Sequence, residues 1–439
     1  MINRRLLAGL LFATLLSGEV CAVGQTSSVI TLEEIFRSAE SNGNQLRPSL
    51  AAEEEAQREI SVARSGKLPE INANLSLSYI GDGFTTKRNF SDYQKAPIPH
   101  FGSGIGINIS QPVYTGGAVT TAIELAELKS TAARFATDFQ KDNLRFRLTG
   151  YYLDIYKCIN LRKVVENNIA NARRILDEMH ARYEQGVALQ NDITRYELLV
   201  SKLELQLVKI DNTLDILNNN LVVVSGMPEG TKIMPDSTIL TRALPTDGEE
   251  WWQNEATLNS PAIRLARTGL DISRRAEDLA RSERLPKIGL QAAWTLDGPI
   301  LVEVPPINRN LSYWYVGVGV SYNLSSLYKS NKTLAKSKAA TVKSAEELLV
   351  TSENLTLDVR DAYIRYMEAY EELKTEKKNV ELADRNYRTT STRYSADMAL
   401  ITDMLDAANA KLDAEQQLVN ARINIIYYYY KLLFTSGKI

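Results

Sequence analysis

Two carboxylates three residues apart, Asp403 and Asp406, carry the plainest chemical potential in the sequence. If the segment after Leu400 is helical, that spacing puts both on one face. An earlier stretch echoes this one at a constant offset: Arg182-Tyr183 matches Arg393-Tyr394, Ala188-Leu189 matches Ala399-Leu400, and Asp192 matches Asp403. A helix–turn–helix tip that recurs with a carboxylate just after the turn reads as a duplication. On spacing alone the plainest role for such acids is charge at a helix N-terminus, worth about 0.3–1 kcal/mol each. Enzyme chemistry finds no support: His100, in a loop, and His180, on a charged helical stretch, are the only histidines, and neither has metal-ligand spacing. No nucleophile–base arrangement or phosphate loop stands out, so no catalytic residue, cofactor or metal is expected. Gly102-x-Gly104-x-Gly106 lies within an alternating strand pattern and reads as small residues on a crowded polar face. Glu53-Glu54-Glu55 reads as a solvated helix face.

The elements that must position these tips are long. The chain has 439 residues, and 44% hydrophobic content with 24% charge is globular in kind. A formal net charge of -2 argues against a nucleic-acid partner. Arg4-Arg5 before the apolar run Leu6–Leu16, then small residues around Ala22, read as a signal peptide over residues 1–24, cleaved near 22–24. Cys21 could instead be a lipid-bearing first residue, although Gly18-Glu19-Val20 fit that poorly. Either way Cys158 has no disulfide partner in the same chain and reads as a packed thiol. No later apolar run approaches the roughly 20 residues of a membrane-spanning helix.

Thr31-Leu32-Glu33-Glu34 is a capping-box pattern opening a helix expected to run to about Ser65. Two alternating runs follow, Ile71 to Tyr79 and Ile105 to Ile109, separated by the polar loop Gly81–His100. Period-two alternation gives each strand one apolar and one polar face. Proline-free helical patterns then span Ala118–Gln185, about 100 Å at ~1.5 Å per residue, and, later, Asn331–Ala396, with Tyr152 matching Tyr363. From Ile193 to Val224 apolar residues recur at an almost unbroken 3-4 spacing, the seam of a coiled coil. Residues 227–250, with Pro228, Pro235 and Pro245, read as a connector between repeat 1 (25–226) and repeat 2 (251–439). The second repeat restarts with a helix over Trp251–Arg284 and two strands, Ile288 to Trp294 and Trp314 to Tyr322. Each strand is about long enough to cross a bilayer at a tilt, roughly 9–11 residues. Four strands cannot close a membrane barrel, since known ones start at 8, whereas three chains would supply 12.

Leu68-Pro69 and Leu285-Pro286 before the strands, Gln111-Pro112-Val113-Tyr114 with Gly116-Gly117 after one hairpin, and the two tips occur in an order that resembles the outer-membrane efflux proteins of the TolC type. The resemblance covers nearly all of the mature chain. It implies an α+β membrane protein: duplicated long antiparallel helices form an α-barrel, and four strands per chain enter a 12-stranded trimeric β-barrel in outer-membrane lipid. It implies a homotrimer in the outer membrane of a Gram-negative bacterium, with a periplasmic helical extension reaching a periplasmic adaptor and an inner-membrane transporter. By the same resemblance, Asp403 and Asp406 form the acidic periplasmic aperture, and Asp192, Tyr394 and Arg422 lock it. Arg182, Tyr183, Gly186, Arg393 and Asp397 would then meet the adaptor. Asp397 departs from the pattern, standing where the first tip has Gly186; a lost glycine removes an easy left-handed turn. The expected function is the passive exit duct of a tripartite efflux system. The alternatives are a type I protein-secretion exit and a non-conducting periplasmic coiled-coil scaffold.

Overall fold

Thr31 and Glu34 exchange the two bonds of a capping box: the Thr31 amide donates to the Glu34 carboxylate at 2.9 Å, and the Glu34 amide donates to Thr31 Oγ1 at 3.3 Å. In the computed structural model, which describes residues 28–240, 244–245, 247–303 and 306–439, this opens the first helix. The leader over residues 1–24 and Cys21 lie outside the described residues. A short strand, β1 (Ser28–Ile30), precedes α1 (Leu32–Ser41) and α2 (Arg47–Ser65). The single opening helix expected over 32–65 is therefore two, because Asn42-Gly43 ends the first and Pro48 starts the second. The sheet strand β2 (Glu70–Tyr79) is followed by a small hairpin, β3 (Gly83–Thr85) and β4 (Gln94–Ala96), within the stretch expected to be plain loop. The stacked rings of Phe84 and Tyr93, 5.0 Å apart, hold that hairpin. Then come β5 (Phe101–Tyr114), α3 (Ala118–Glu184) and α4 (Gln190–Ser225).

The second half repeats this order. After β6 (Ile233–Pro235) and a 3-10 turn (Ser237–Leu240) come α5 (Glu249–Asn259), α6 (Pro261–Ser282), β7 (Lys287–Gly298), β8 (Leu311–Ser321), α7 (Ser326–Ser395) and α8 (Ile401–Thr435). Again a proline, Pro261, splits the opening helix expected to be continuous. The second long helix starts five residues earlier than expected, at Ser326. With 67 and 70 residues, α3 and α7 extend about 100 Å each. Against each rod lie two shorter helices, α2 and α4 on α3, α6 and α8 on α7; α3 also touches α6 and α8, which joins the halves. No helix among the described residues is long and apolar enough to cross a membrane.

The seam expected from the 3-4 spacing is buried where it should be. Ile193, Tyr196, Val200, Leu203 and Ile210 of α4 close on Val165, Ile169, Ile175 and Met179 of α3, with Ile401 and Met404 of α8 completing this lower core. A second core lies at mid-height. There the Tyr152 hydroxyl, buried, donates to the Ile30 carbonyl at 3.0 Å and accepts from the Asp236 amide at 2.7 Å. It thereby pins β1 and β6, which pair in parallel, onto α3. In the second half the buried tyrosine that reaches the connector is Tyr366, donating to the Pro245 carbonyl at 2.9 Å, rather than Tyr363.

The four long strands form one antiparallel sheet in the order β2–β5–β7–β8, with β2 and β8 as edges. Its register aligns most of the apolar positions across the pairs. Ile71, Ile109, Ala292 and Val316 stand in one row, Ala73, Ile107, Trp294 and Trp314 in the next, Leu75, Ile105 and Leu296 in the one after. Directly opposite residues of a ladder share a face, so one side of the sheet is mostly apolar, interrupted by Ser103, Gln111 and Ser312. It is also bare: Leu75 and Val318 each keep 70% of their surface exposed. Tyr79 and Phe101 flank it at one end, Tyr114 and Tyr322 at the other. The opposite side carries Asn72, Asn74, Ser76 and Ser78 beside the glycines of β5. A Cβ on Gly102 would come within 2.3 Å of Ser78 Oγ, and one on Gly106 within 2.6 Å of Asn74 Oδ1. The glycine lane is thus room for polar side chains, as its alternation implied.

Candidate functional site at the helical tips

The two turns that end the long helices are built alike. After α3 the Gly186 amide donates to the Tyr183 carbonyl at 2.9 Å and the Val187 amide to the Arg182 carbonyl at 3.0 Å. After α7 the Asp397 amide donates to Tyr394 at 3.1 Å and the Met398 amide to Arg393 at 2.7 Å. Both pairs are the crossed bonds of a Schellman cap, whose turning residue must be left-handed. Gly186 has φ 75° and Asp397 φ 59°. The second tip thus keeps the left-handed turn without glycine, at the strain an L-residue meets there.

Asp397 gains a partner for that strain. Arg182, on the first tip, ion-pairs with the Asp397 carboxylate, donates to the Tyr394 carbonyl at 3.3 Å, and lies 5.7 Å from the centre of the Tyr394 ring. One arginine thus clasps the second hairpin to the first. Tyr394 is half-buried against the lower core. Burial pushes its hydroxyl up, the nearby Asp192 carboxylate pushes the same way, and Arg182 opposes. Asp192, Tyr394, Arg182 and Asp397 therefore form one cluster. Arg393 turns back on its own tip, donating to the Met398 carbonyl at 3.4 Å, while Tyr183 is exposed. Beside them Val187 and Leu189 on one tip and Met398 and Leu400 on the other are bare apolar side chains at matching positions.

Asp403 and Asp406 are both exposed, on the side of α8 away from buried Ile401, Met404 and Ala407. Asp403 also caps its own helix, accepting from the Leu400 amide at 3.1 Å. Within the chain Arg422 stands apart from this cluster: it is exposed and 21 residues beyond Ile401, hence about 30 Å up the helix from its own tips. The cation that reaches the cluster is Arg182, which the resemblance assigns to adaptor docking. Its link to Asp397 joins positions 215 apart and has no local signature. Elsewhere, Cys158 is a half-buried free thiol on α3, His180 is exposed, and among the described residues no group of His, Cys, Asp or Glu could hold a metal ion.

A sheet with one apolar side, standing on helical rods of about 100 Å that end in matched, polar-clasped tips, is the build of an outer-membrane duct. A family model described as outer membrane efflux protein matches residues 35–227 and 252–427. The chain belongs to that family, and with it to the outer membrane as an efflux exit channel with a periplasmic helical part. It is 23% identical over 417 residues to the outer membrane protein TolC of Vibrio cholerae serotype O1, covering 92% of this chain and 91% of the relative. To the outer membrane efflux protein BepC of Brucella suis biovar 1 it is 21% identical, covering 97% and 89%. The crystal structure of the outer membrane protein VceC from Vibrio cholerae shares the fold with a TM-score of 0.77 at 14% identity, over 92% of this chain and 96% of that one.

Proposed function

We infer that three copies of this chain close one duct, and that the single observation carrying this is the sheet. Its outward rows are mostly apolar, with two of them apolar across all four strands, and among the described residues the outer edges of β2 and β8 are unpaired. Pairing β8 of each copy with β2 of the next keeps every neighbour antiparallel and closes 12 strands around a polar lumen. The α3–α4 and α7–α8 pairs continue the wall through the periplasm. The bare apolar positions at the tips, with Tyr183, Gly186, Arg393 and Asp397 between them, are the surface a periplasmic adaptor would take, coupling the duct to an inner-membrane transporter. Transport through the duct is passive, and the transporter supplies the energy.

At the periplasmic end, Asp403 and Asp406 would form two rings of three carboxylates, attracting cations and repelling one another. Arg182, on Asp397 and the Tyr394 carbonyl, holds the second hairpin in and offsets that repulsion. Purified protein in detergent should have the mass of a trimer, and in planar bilayers it should conduct. A monomer that needs no detergent, or a trimer without conductance, would overturn the duct.

A further inference from the structure

We propose that the polar side of the sheet binds organic cations with an aromatic body, between the Tyr313 and Tyr315 rings of β8 and the Asp297 carboxylate of β7. The register places all three on that side. Tyr313 ends the row of Asn74, Gly106 and Thr295, and Tyr315 the row of Asn72, Asn108 and Ala293. Asp297 stands in the next row, with Ser76, Gly104 and Leu311. These rows alternate with the outward apolar ones and so face the other way. Opposite them the paired positions of β2 and β5 on this side are all Glu, Asn, Ser or Gly. Tyr313 and Tyr315 are the only rings the ladder carries there.

Both rings are available. Tyr313 keeps 50% of its surface exposed and Tyr315 49%. Among the described residues neither ring stacks on another or carries a cation, and neither hydroxyl has a hydrogen bond. The helical tyrosines differ: Tyr366 packs on Tyr370, and Tyr427 on Tyr428. Asp297 is likewise exposed and, among the described residues, without an ion pair. Its carboxylate leans over Gly104, where an added Cβ would come within 2.8 Å of Oδ1. The carboxylate therefore lies towards β5 and the rings belong to β8, with the β7 lane between them. Diagonal neighbours on adjacent strands are roughly 7–8 Å apart, and the lean adds to this. A solute with one ring and one ammonium group spans that gap.

Charge selects the sign. The other charged positions of the ladder on this side, Glu70 and Lys287, lie at its opposite end. In the loop after β2, Lys87 and Lys95 are taken by Asp92 and Asp82 at 3.1 and 2.8 Å. Arg309, two residues before β8, makes no ion pair with Asp297. The free carboxylate thus favours a cation, and ring faces attract cations as well. The placement rests on the duct reading. β7 leaves the helices at Lys287 and reaches Asp297 near its far end, so three copies set three carboxylates and six rings around the duct just before its exit.

The test uses the full trimer in uncharged detergent, with benzyltrimethylammonium as probe and saturation-transfer NMR as readout. Tetramethylammonium lacks the ring, and benzenesulfonate reverses the charge. The probe should bind saturably and about fivefold tighter than tetramethylammonium, and benzenesulfonate should not bind. Asp297→Asn should weaken the probe about threefold, and Tyr313→Ala with Tyr315→Ala about tenfold. Tyr313→Phe with Tyr315→Phe keeps both rings and should bind like wild type. Tyr79→Ala, on the outward side, should change nothing. No saturable binding of the probe, equal binding of tetramethylammonium, or wild-type affinity in Asp297→Asn or the ring-deleted pair overturns the site. Conductance in planar bilayers is read separately. A trimer that conducts but binds no probe loses the site and keeps the duct; one that binds without conducting keeps the site and loses the duct.

Discussion

Replacing Arg182 with alanine removes three contacts at once, and their sum sets how far the resting channel should open. The ion pair to Asp397 is half in water, the carboxylate side chain being 72% exposed, so it is worth about 0.2–1 kcal/mol after screening. The bond to the Tyr394 carbonyl adds about 1 kcal/mol, and the ring contact about 0.5 kcal/mol. Contacts sharing one side chain are not fully additive, which leaves about 1–2 kcal/mol. If that clasp favours the closed tip, Arg182→Ala raises the open-to-closed ratio about five- to thirtyfold. Asp397 supplies the internal control. Asp397→Gly loses the pair but relieves a left-handed L-residue, worth roughly 1 kcal/mol, and should stay near wild type. Asp397→Ala loses the pair and keeps the strain, so its tip should be looser than that of the glycine variant. Resting conductance of single trimers in planar bilayers measures all three. High salt should bring wild type towards Arg182→Ala, because the Debye length falls to about 3 Å at 1 M. Wild-type leakage from Arg182→Ala at low salt, or equal leakage from the glycine and alanine variants, would refute the reasoning.

Three further outcomes are expected. Asp403→Asn with Asp406→Asn should lower cation selectivity and relieve block by multivalent cations; an amide at 403 can still accept from the Leu400 amide, so an unchanged reversal potential would put both residues outside the pore. Val316→Arg, on the bare apolar face, should disfavour membrane insertion by about 2–4 kcal/mol, measured as loss of trimer in the membrane fraction. The adjacent Gly317→Ser, where a Cβ meets nothing within 4 Å, should insert normally. Burial pushes the Asp142 carboxyl up to about 6, with Asp138 adding and Arg145, Lys141 and Arg264 opposing. Because the folded protein then holds a proton the unfolded chain releases, stability is fullest near pH 4 and falls as pH rises to about 6, by at most about 3 kcal/mol. Asp142→Asn should flatten the thermal midpoint over that window, and an unchanged slope would remove Asp142 as its source.

The parts of this molecule legible in its sequence are those governed by short periods. Alternation from Ile71 to Tyr79 and from Trp314 to Tyr322 names which side of each strand is apolar, because side chains switch faces at every residue. The 3-4 spacing from Ile193 to Val224 names the side of α4 that is buried, for the equivalent reason in a helix. Breaks were harder to see. Pro48 and Pro261 sit one or two residues inside helices that they begin, and a proline there is compatible with an uninterrupted pattern of charge and alanine on either side. The pairing of β1 with β6 was invisible, since three-residue strands have no period and their partner is some 200 residues away.

The tip shows what local similarity reaches and what it misses. Matching Arg182-Tyr183 to Arg393-Tyr394 fixes the two turns at one end, and the structure puts them in contact. Arg422 entered through a family likeness that carries no height, yet every residue along a helix adds about 1.5 Å, which sets it about 30 Å from its own chain's tips. What remains is a substitution and its compensation read together. Asp397 is costly as a turning residue and useful as a partner for Arg182, and neither property is apparent without the other. A glycine at 397 would make the easier turn and leave the guanidinium only a carbonyl and a ring to hold. The strain at one tip and the clasp between two hairpins are therefore a single feature, in which a poor local choice is retained by a contact made across the fold.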